Sequence, residues 1–144
     1  MFKSMKKQLN NEKGLTLIEL LAVIVILAII AAIAVPAIGN IINNSKDKAI
    51  LAEASNILAG AKIAAVDNAC NPEATPTTCT MANLGEYVEG VTQKGSTTLA
   101  YSASRAPSGE WSIIYSNFDA LNDKRGLTGT ASVDETVLNG LLNP

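Results

Sequence analysis

From Leu20 to Ile38 the chain carries no polar side chain, a run of 19 residues, and no charge stands between Glu19 and Lys46. The apolar residues are unevenly spread: residues 1–45 hold 27 of the 69, and residues 46–144 hold the other 42. As a helix, the run would span roughly 28 Å, against a bilayer core of about 30 Å. A buried helix of a soluble protein rarely runs this long without a polar face, so the pattern predicts a membrane-crossing segment. No second such run follows, so the chain is expected to cross once.

The helical pattern continues beyond this segment in a different form. Ile50, Ala54, Ile57, Ala61 and Ala65 recur at steps of three and four, and Leu51 and Leu58 widen the stripe. Lys46, Asp47, Glu53, Asn56 and Lys62 fall mostly elsewhere, which gives one apolar face suited to packing on a sheet. Asp67-Asn68 and Cys70-Asn71-Pro72 end the pattern. A helix from Leu15 to Val66 would have 52 residues and a length of roughly 78 Å. Pro36 and Gly39 interrupt it. A proline removes one backbone hydrogen bond, so a kink near residues 32–39 is expected.

Residues 67–144 read as a small α+β head. Thr80 can cap a short helix through Met81–Leu84, continuing weakly to Val88. Thr97–Ala103 and Trp111–Asn117 alternate, and Ala106-Pro107-Ser108-Gly109 between them is a turn, so the two form a hairpin. Leu127–Val133 is a candidate third strand. Asp134 can cap a last helix through Leu142. The fold class is α+β: a long N-terminal helix whose outer half packs on a small antiparallel sheet.

Composition narrows the chemistry. The chain of 144 residues has no histidine, which removes Ser-His-Asp and Cys-His catalysis and His-ligated zinc. A formal charge of −2, and 7 basic against 11 acidic groups over residues 46–144, speak against nucleic-acid binding. No phosphate-binding loop is present. No cofactor or metal is expected, and the reading is not that of an enzyme. Asp119, Asn122 and Asp123 precede a Gly126 turn, with Asp134 and Glu135 later. They match no EF-hand spacing, and solvated loop acids are the plainer reading beside a calcium loop. Lys3, Lys6, Lys7 and Lys13 precede the apolar run against Glu12 alone, so the N-terminus is expected inside and the head outside. Cys70 and Cys79 both lie on that outer side. An even count in an exported domain favours a disulfide closing loop 70–79; two free thiols are the alternative.

A basic start before an apolar stretch also describes a secretory signal, and Ala32-Ile33-Ala34 offers a cleavage site. Against that, the run is longer than a signal core, Glu19 stands within the apolar block, and the helical pattern continues past Ala34. The string Lys13-Gly14-Leu15-Thr16-Leu17-Ile18-Glu19 and the stretch from Leu15 to Ile38 resemble the type III signal of type IV pilins and pseudopilins. Glycine precedes the cut, a hydrophobic residue follows it, glutamate is fifth, and a proline lies 17 residues beyond the glutamate. Leu15 stands where phenylalanine is usual, and Ala28 where glycine is frequent. Beyond Ile38 only the general plan matches.

The resemblance implies that a prepilin peptidase cuts between Gly14 and Leu15 and N-methylates Leu15. The chain would then divide into a cleaved leader (1–14), an assembly half of the helix (15–39), an amphipathic half (40–66) and the head (67–144). Cleavage would take the side-chain balance from −2 to −5. It implies a pilin fold, a homopolymer of identical subunits drawn from membrane lipid, and indirect dependence on an assembly ATPase and a platform membrane protein. The precursor would sit in the cytoplasmic membrane and the product in a cell-surface filament. Glu19 would pair with the Leu15 amine of a neighbouring subunit and fix register; a helix-start carboxylate favoured by the macrodipole is the plainer alternative. Adhesion, twitching, DNA uptake and secretion all remain open as the machine served. A single-pass or secreted binding domain is the rival of another class.

Overall fold

The computed structural model describes residues 16–71, 76–92, 98–124 and 126–143. The chain divides into two compact units, Met1–Ile41 and Ile42–Pro144. The longest element, helix α1 (Leu17–Val66, 50 residues), contains Pro36 and contributes to both units. It is the one helix among the described residues long and apolar enough to cross a membrane.

In the first unit, the described side chains from Thr16 to Ile41 are exposed or at most half-buried. Leu17 is 83% exposed and Ile33 71%, as though no core existed for them. Fifteen large aliphatic side chains from Leu17 to Ile41 are exposed in this way. At about 1.5 kcal/mol each, leaving them in water forgoes on the order of 25 kcal/mol. That exceeds the net stability of a typical domain, about 5–15 kcal/mol. This segment therefore needs lipid or other apolar segments around it.

The second unit holds the core. Ile50, Leu51, Ala54, Ile57, Leu58, Ala61 and Ala64 form the buried stripe of α1. Ala64 takes the place that the spacing gives to Ala65, which is only partly buried. The helix ends in a Schellman motif: the Asn68 amide donates to Ala65 O and the Ala69 amide to Ala64 O. Asn68 adopts φ 57°, the left-handed conformation that such a cap requires and that asparagine tolerates.

Four strands follow: β1 (Thr77–Thr80), β2 (Tyr101–Arg105), β3 (Trp111–Tyr115) and β4 (Val133–Asp134). They form one antiparallel sheet in the order β1-β2-β3-β4. Tyr101, Ala103, Trp111, Ile113 and Tyr115 point from it into the core with the stripe of α1. Between β1 and β2 lies the short helix α2 (Met81–Leu84), and helix α3 (Glu135–Leu142) closes the chain with Leu138 buried. The architecture is the α+β plan that the sequence predicts, a long helix on a small antiparallel sheet.

The strand limits differ from expectation in four places. The first hairpin strand is Tyr101–Arg105 rather than Thr97–Ala103. Strand β1, inside the Cys70–Cys79 loop, was not foreseen. The second hairpin strand stops at Tyr115, because Ser116–Ala120 turns into a 3-10 helix that buries Phe118 against Tyr115, ring centroids 5.4 Å apart. The strand expected over Leu127–Val133 shrinks to Val133–Asp134. Residues 128–131 turn instead, the Ala131 amide donating to Thr128 O. Gly129 lies so close to Ser116 and Asp119 that a Cβ there would fall 2.6 Å from Asp119 Oδ2. The Leu127–Val133 region therefore packs on the 3-10 helix rather than lengthening the sheet. Gly60 serves a similar purpose in α1, where a Cβ would stand 2.9 Å from Tyr87 O. The segment after α2 thus touches the backbone of the helix.

A polar thread crosses this core. The Tyr115 hydroxyl donates to Glu53 Oε2 at 2.7 Å, and Asn117 Nδ2 donates to the Tyr115 oxygen at 2.7 Å and to Thr92 O at 2.8 Å. Burial pushes the Tyr115 hydroxyl well above its ordinary value of 10.0, helped by the Glu53 carboxylate that accepts its hydrogen bond. A hydroxyl whose pKa is raised on folding adds stability below its unfolded value and loses it as pH rises toward the folded one. The head should lose stability progressively above about pH 10. Tyr115→Phe should flatten that alkaline decline while lowering stability at pH 7 by about 1–3 kcal/mol. Thermal melts of the detergent-solubilised chain from pH 7 to pH 11 measure both, and equal alkaline slopes would count against the assignment.

Candidate assembly site at the start of the apolar helix

The apolar helix opens on a reciprocal cap. Thr16 precedes the first helical residue, Leu17, and Glu19 stands three residues after Thr16. The Thr16 amide donates to Glu19 Oε2 at 2.7 Å, and so does the Thr16 hydroxyl, also at 2.7 Å. The Glu19 amide returns a bond to Thr16 Oγ1 at 3.2 Å. This is a capping box, which satisfies backbone amides that the first turn leaves without partners. The spacing Thr-x-x-Glu is the sequence signal of this box, and the apolar surroundings of Glu19 mask it.

The box changes what Glu19 can do. Both donors from Thr16 converge on the one oxygen, Oε2, so the carboxylate is held against the helix start rather than swinging over the apolar surface. A carboxylate at this position also faces the positive end of the helix dipole. Glu19 is thus both a local cap and a fixed anionic point one turn into an otherwise uncharged segment. Gly14 and Leu15, the expected cleavage site and methylated terminus, lie outside the described residues. Pro36 lies within α1 and Gly39 follows it in the same helix, with nothing within 4 Å of where a Cβ on Gly39 would be.

The other candidate residues fall in the head and serve separate ends. Cys70 and Cys79 are joined by a disulfide with a Cα–Cα distance of 4.7 Å, tying the segment after α1 to β1. Both cysteines are buried in the core. The acids considered for calcium are dispersed. Asp119 Oδ1 accepts the Gly129 amide at 3.0 Å, Glu135 pairs with Lys62, and Asp134 is exposed on β4. Among the described residues no three His, Cys, Asp or Glu side chains gather as metal ligands.

Asp47 is the residue that the spacing misplaced. It belongs to the polar side of the sequence pattern, yet it is buried. Its Oδ1 accepts from the Asn122 amide and Asn122 Nδ2, both at 2.9 Å, and its Oδ2 accepts from the Asp123 amide at 3.0 Å. A carboxylate on the helix thereby holds the loop that follows the 3-10 helix. No local signal could show this, since the amides lie 75 and 76 residues away.

Comparison with known proteins finds one match. Residues 9–35 carry a prokaryotic N-terminal methylation motif. No curated protein and no solved structure matches the chain. The matched residues include the capping box and most of the apolar run. With the long apolar helix it supports a general pilin or pseudopilin-type family. The motif stops before Pro36, so the head is described by its own geometry alone.

Asp47→Ala should remove the acceptor that the Asn122 and Asp123 amides share. The expected cost is about 1–3 kcal/mol, or roughly 5 °C or more in the melting of the head. Limited proteolysis should cut first at residues 121–129, and a melt and cleavage pattern like the parent's would show that the loop is held by other means.

Proposed function

We propose that this chain is a structural subunit of a type IV pilus-like filament, made as a membrane-anchored precursor. Cleavage between Gly14 and Leu15 by a prepilin peptidase removes the basic leader, and methylation then caps Leu15. The observation that carries the reading is the methylation motif set directly on an exposed apolar helix that leads into a folded head. The apolar half, at home in lipid, is equally at home among copies of itself. Exchange between two apolar settings yields little net hydrophobic drive. An assembly ATPase acting through a platform membrane protein supplies the work, since the sequence carries no phosphate-binding loop motif.

Glu19 gives the polymer its register. An uncharged helix in a bundle of identical helices can slide, and one fixed carboxylate per subunit penalises every register that leaves it without a cation. The amine of Leu15 in an adjacent subunit is that cation. Pro36 and Gly39 supply a place where the helix bends or loosens as subunits pack. The Cys70–Cys79 bond holds the head closed outside the cell. Adhesion, twitching motility and DNA uptake are the uses such a filament serves, and a secretion pseudopilus is built from the same parts.

N-terminal sequencing of the chain from its native membrane should return methylated Leu15; an intact Met1 would overturn the reading. Glu19→Ala should insert normally yet lower filament yield roughly a hundredfold or more, the scale of an unpaired buried charge. Normal filaments from that variant would leave polymerisation standing and remove the register role.

A further inference from the structure

Between the last turns of α1 and the β2–β3 turn, the head carries an open groove of about 410 Å³. It is lined by Lys62, Ala65, Val66, Arg105, Gly109 and Trp111. Arg105 stands opposite Trp111 across the β2–β3 ladder, so both side chains leave the sheet on the face that meets α1. Arg105 is exposed and, among the described residues, has neither an ion pair nor a hydrogen-bond acceptor. Its guanidinium lies by the turn, where a Cβ on Gly109 would stand 3.9 Å from Nη2. Lys62 differs, because Glu135 already pairs with it. None of the lining residues is acidic, although acids outnumber bases by 11 to 7 over residues 46–144. Glu110, Asp134 and Glu135 line a separate groove. Val66, the last residue of α1, is 80% exposed, and with Ala65 and the indole it gives the cationic groove an apolar wall.

These features define an occupant by its chemistry. A guanidinium presents its N–H donors in a planar fork that matches the two oxygens of a carboxylate. The apolar wall is two short side chains and an indole, enough to cover one aliphatic side chain but not a long hydrocarbon tail. At the end of a polypeptide the α-carboxylate and the last side chain branch from one Cα, so a single short groove can hold both. We propose that this groove binds the C-terminal end of a partner polypeptide whose last residue is aliphatic. Arg105 holds the carboxylate, and the aliphatic side chain lies against Val66, Ala65 and Trp111. With one exposed charge pair the contact is weak and reversible. The site lies wholly in the head, so it does not depend on the filament reading proposed above.

Equilibrium dialysis of the full-length chain in mild detergent against an N-acetylated tetrapeptide ending in leucine tests this. Binding should appear at millimolar peptide or below and weaken as salt rises from about 50 mM to about 500 mM. Trp111 is the only tryptophan in the chain, so its fluorescence should change as the groove fills. Amidating the peptide's C-terminus should weaken binding roughly tenfold or more, because the charge-assisted pair is lost. A peptide ending in glycine should bind about threefold to tenfold more weakly, because the apolar wall stays wet. Arg105→Gln should lose as much as amidation does, and it should lose nothing further against the amide. Arg105→Lys should fall between, since a point charge replaces the fork. Lys48→Gln, at an exposed cation elsewhere on α1, should bind like the parent. Octanoate, a carboxylate on a hydrocarbon tail, should bind more weakly than the peptide. Circular dichroism melts of the variants should match the parent and so exclude misfolding. Absence of binding at millimolar peptide, an amide that binds as well, an unaffected Arg105→Gln variant, or octanoate as tight as the peptide would each overturn the inference. N-terminal processing of the same variants should be unchanged, so failure here is separable from failure of the filament reading.

Discussion

The constraint that governs this chain is that one helix must satisfy two different surroundings. Over Leu20–Ile38 it presents aliphatic side chains in every direction, and from Ile50 onward it presents them along one stripe. The first pattern finds no cover among the described residues, whose buried apolar side chains all belong to the head's own core. The second has a local solution, a four-stranded sheet. Everything else in the chain follows from keeping these two solutions apart. The core draws nothing from the first unit, and its buried hydrophobic residues begin at Ile50.

Within the head, the sheet is too small to close its loops by strand pairing, and carboxylates and a disulfide do that instead. Asp47 holds residues 122 and 123, Asp119 holds Gly129, Glu135 meets Lys62, and Cys79 of β1 is bonded to Cys70. The Asp47, Asp119 and disulfide ties each connect irregular backbone to a helix or strand, and Lys62–Glu135 joins two helices. Of the acids read as solvated loop groups beside a calcium alternative, Asp119 and Glu135 are separate latches, and Asp134 is exposed. A carboxylate accepting backbone amides is already neutralised in effect by those dipoles, so it has no need of a cation.

The long helix, its stripe and the hairpin were legible because each depends on neighbours at fixed short spacings. The apolar run is independent of anything else in the chain, and Trp111, Ile113 and Tyr115 alternate wherever they are placed. The cysteine pair could be anticipated from export and even count alone. Strand β1 was not legible: Thr77–Thr80 has no alternating apolar pattern, and it becomes a strand because Cys79 pairs with Ala103 across the ladder. Leu127–Val133 misled for the opposite reason. Its spacing suits a strand, but the close approach of Gly129 to the 3-10 helix is a tertiary fact. Asp47 looked like part of a solvated face because nothing within a turn of it signals the amides it meets.

At the candidate site the sequence singled out Glu19 but did not show how it is held. Glu19 draws notice as a charge beside an uncharged run, and its cost in an apolar setting suggests a distant partner. The capping box supplies a nearer one. With Thr16 bound to Oε2, the carboxylate is desolvated less steeply on entering an apolar setting, because it carries hydrogen bonds with it. The same bonds fix where the charge sits relative to the helix axis. A register device works only if its charged group has a defined position, since a swinging side chain would tolerate several offsets equally. The local cap and the proposed intersubunit role are therefore compatible explanations of Glu19. In the filament proposed above, the first would be the condition under which the second discriminates one register from another.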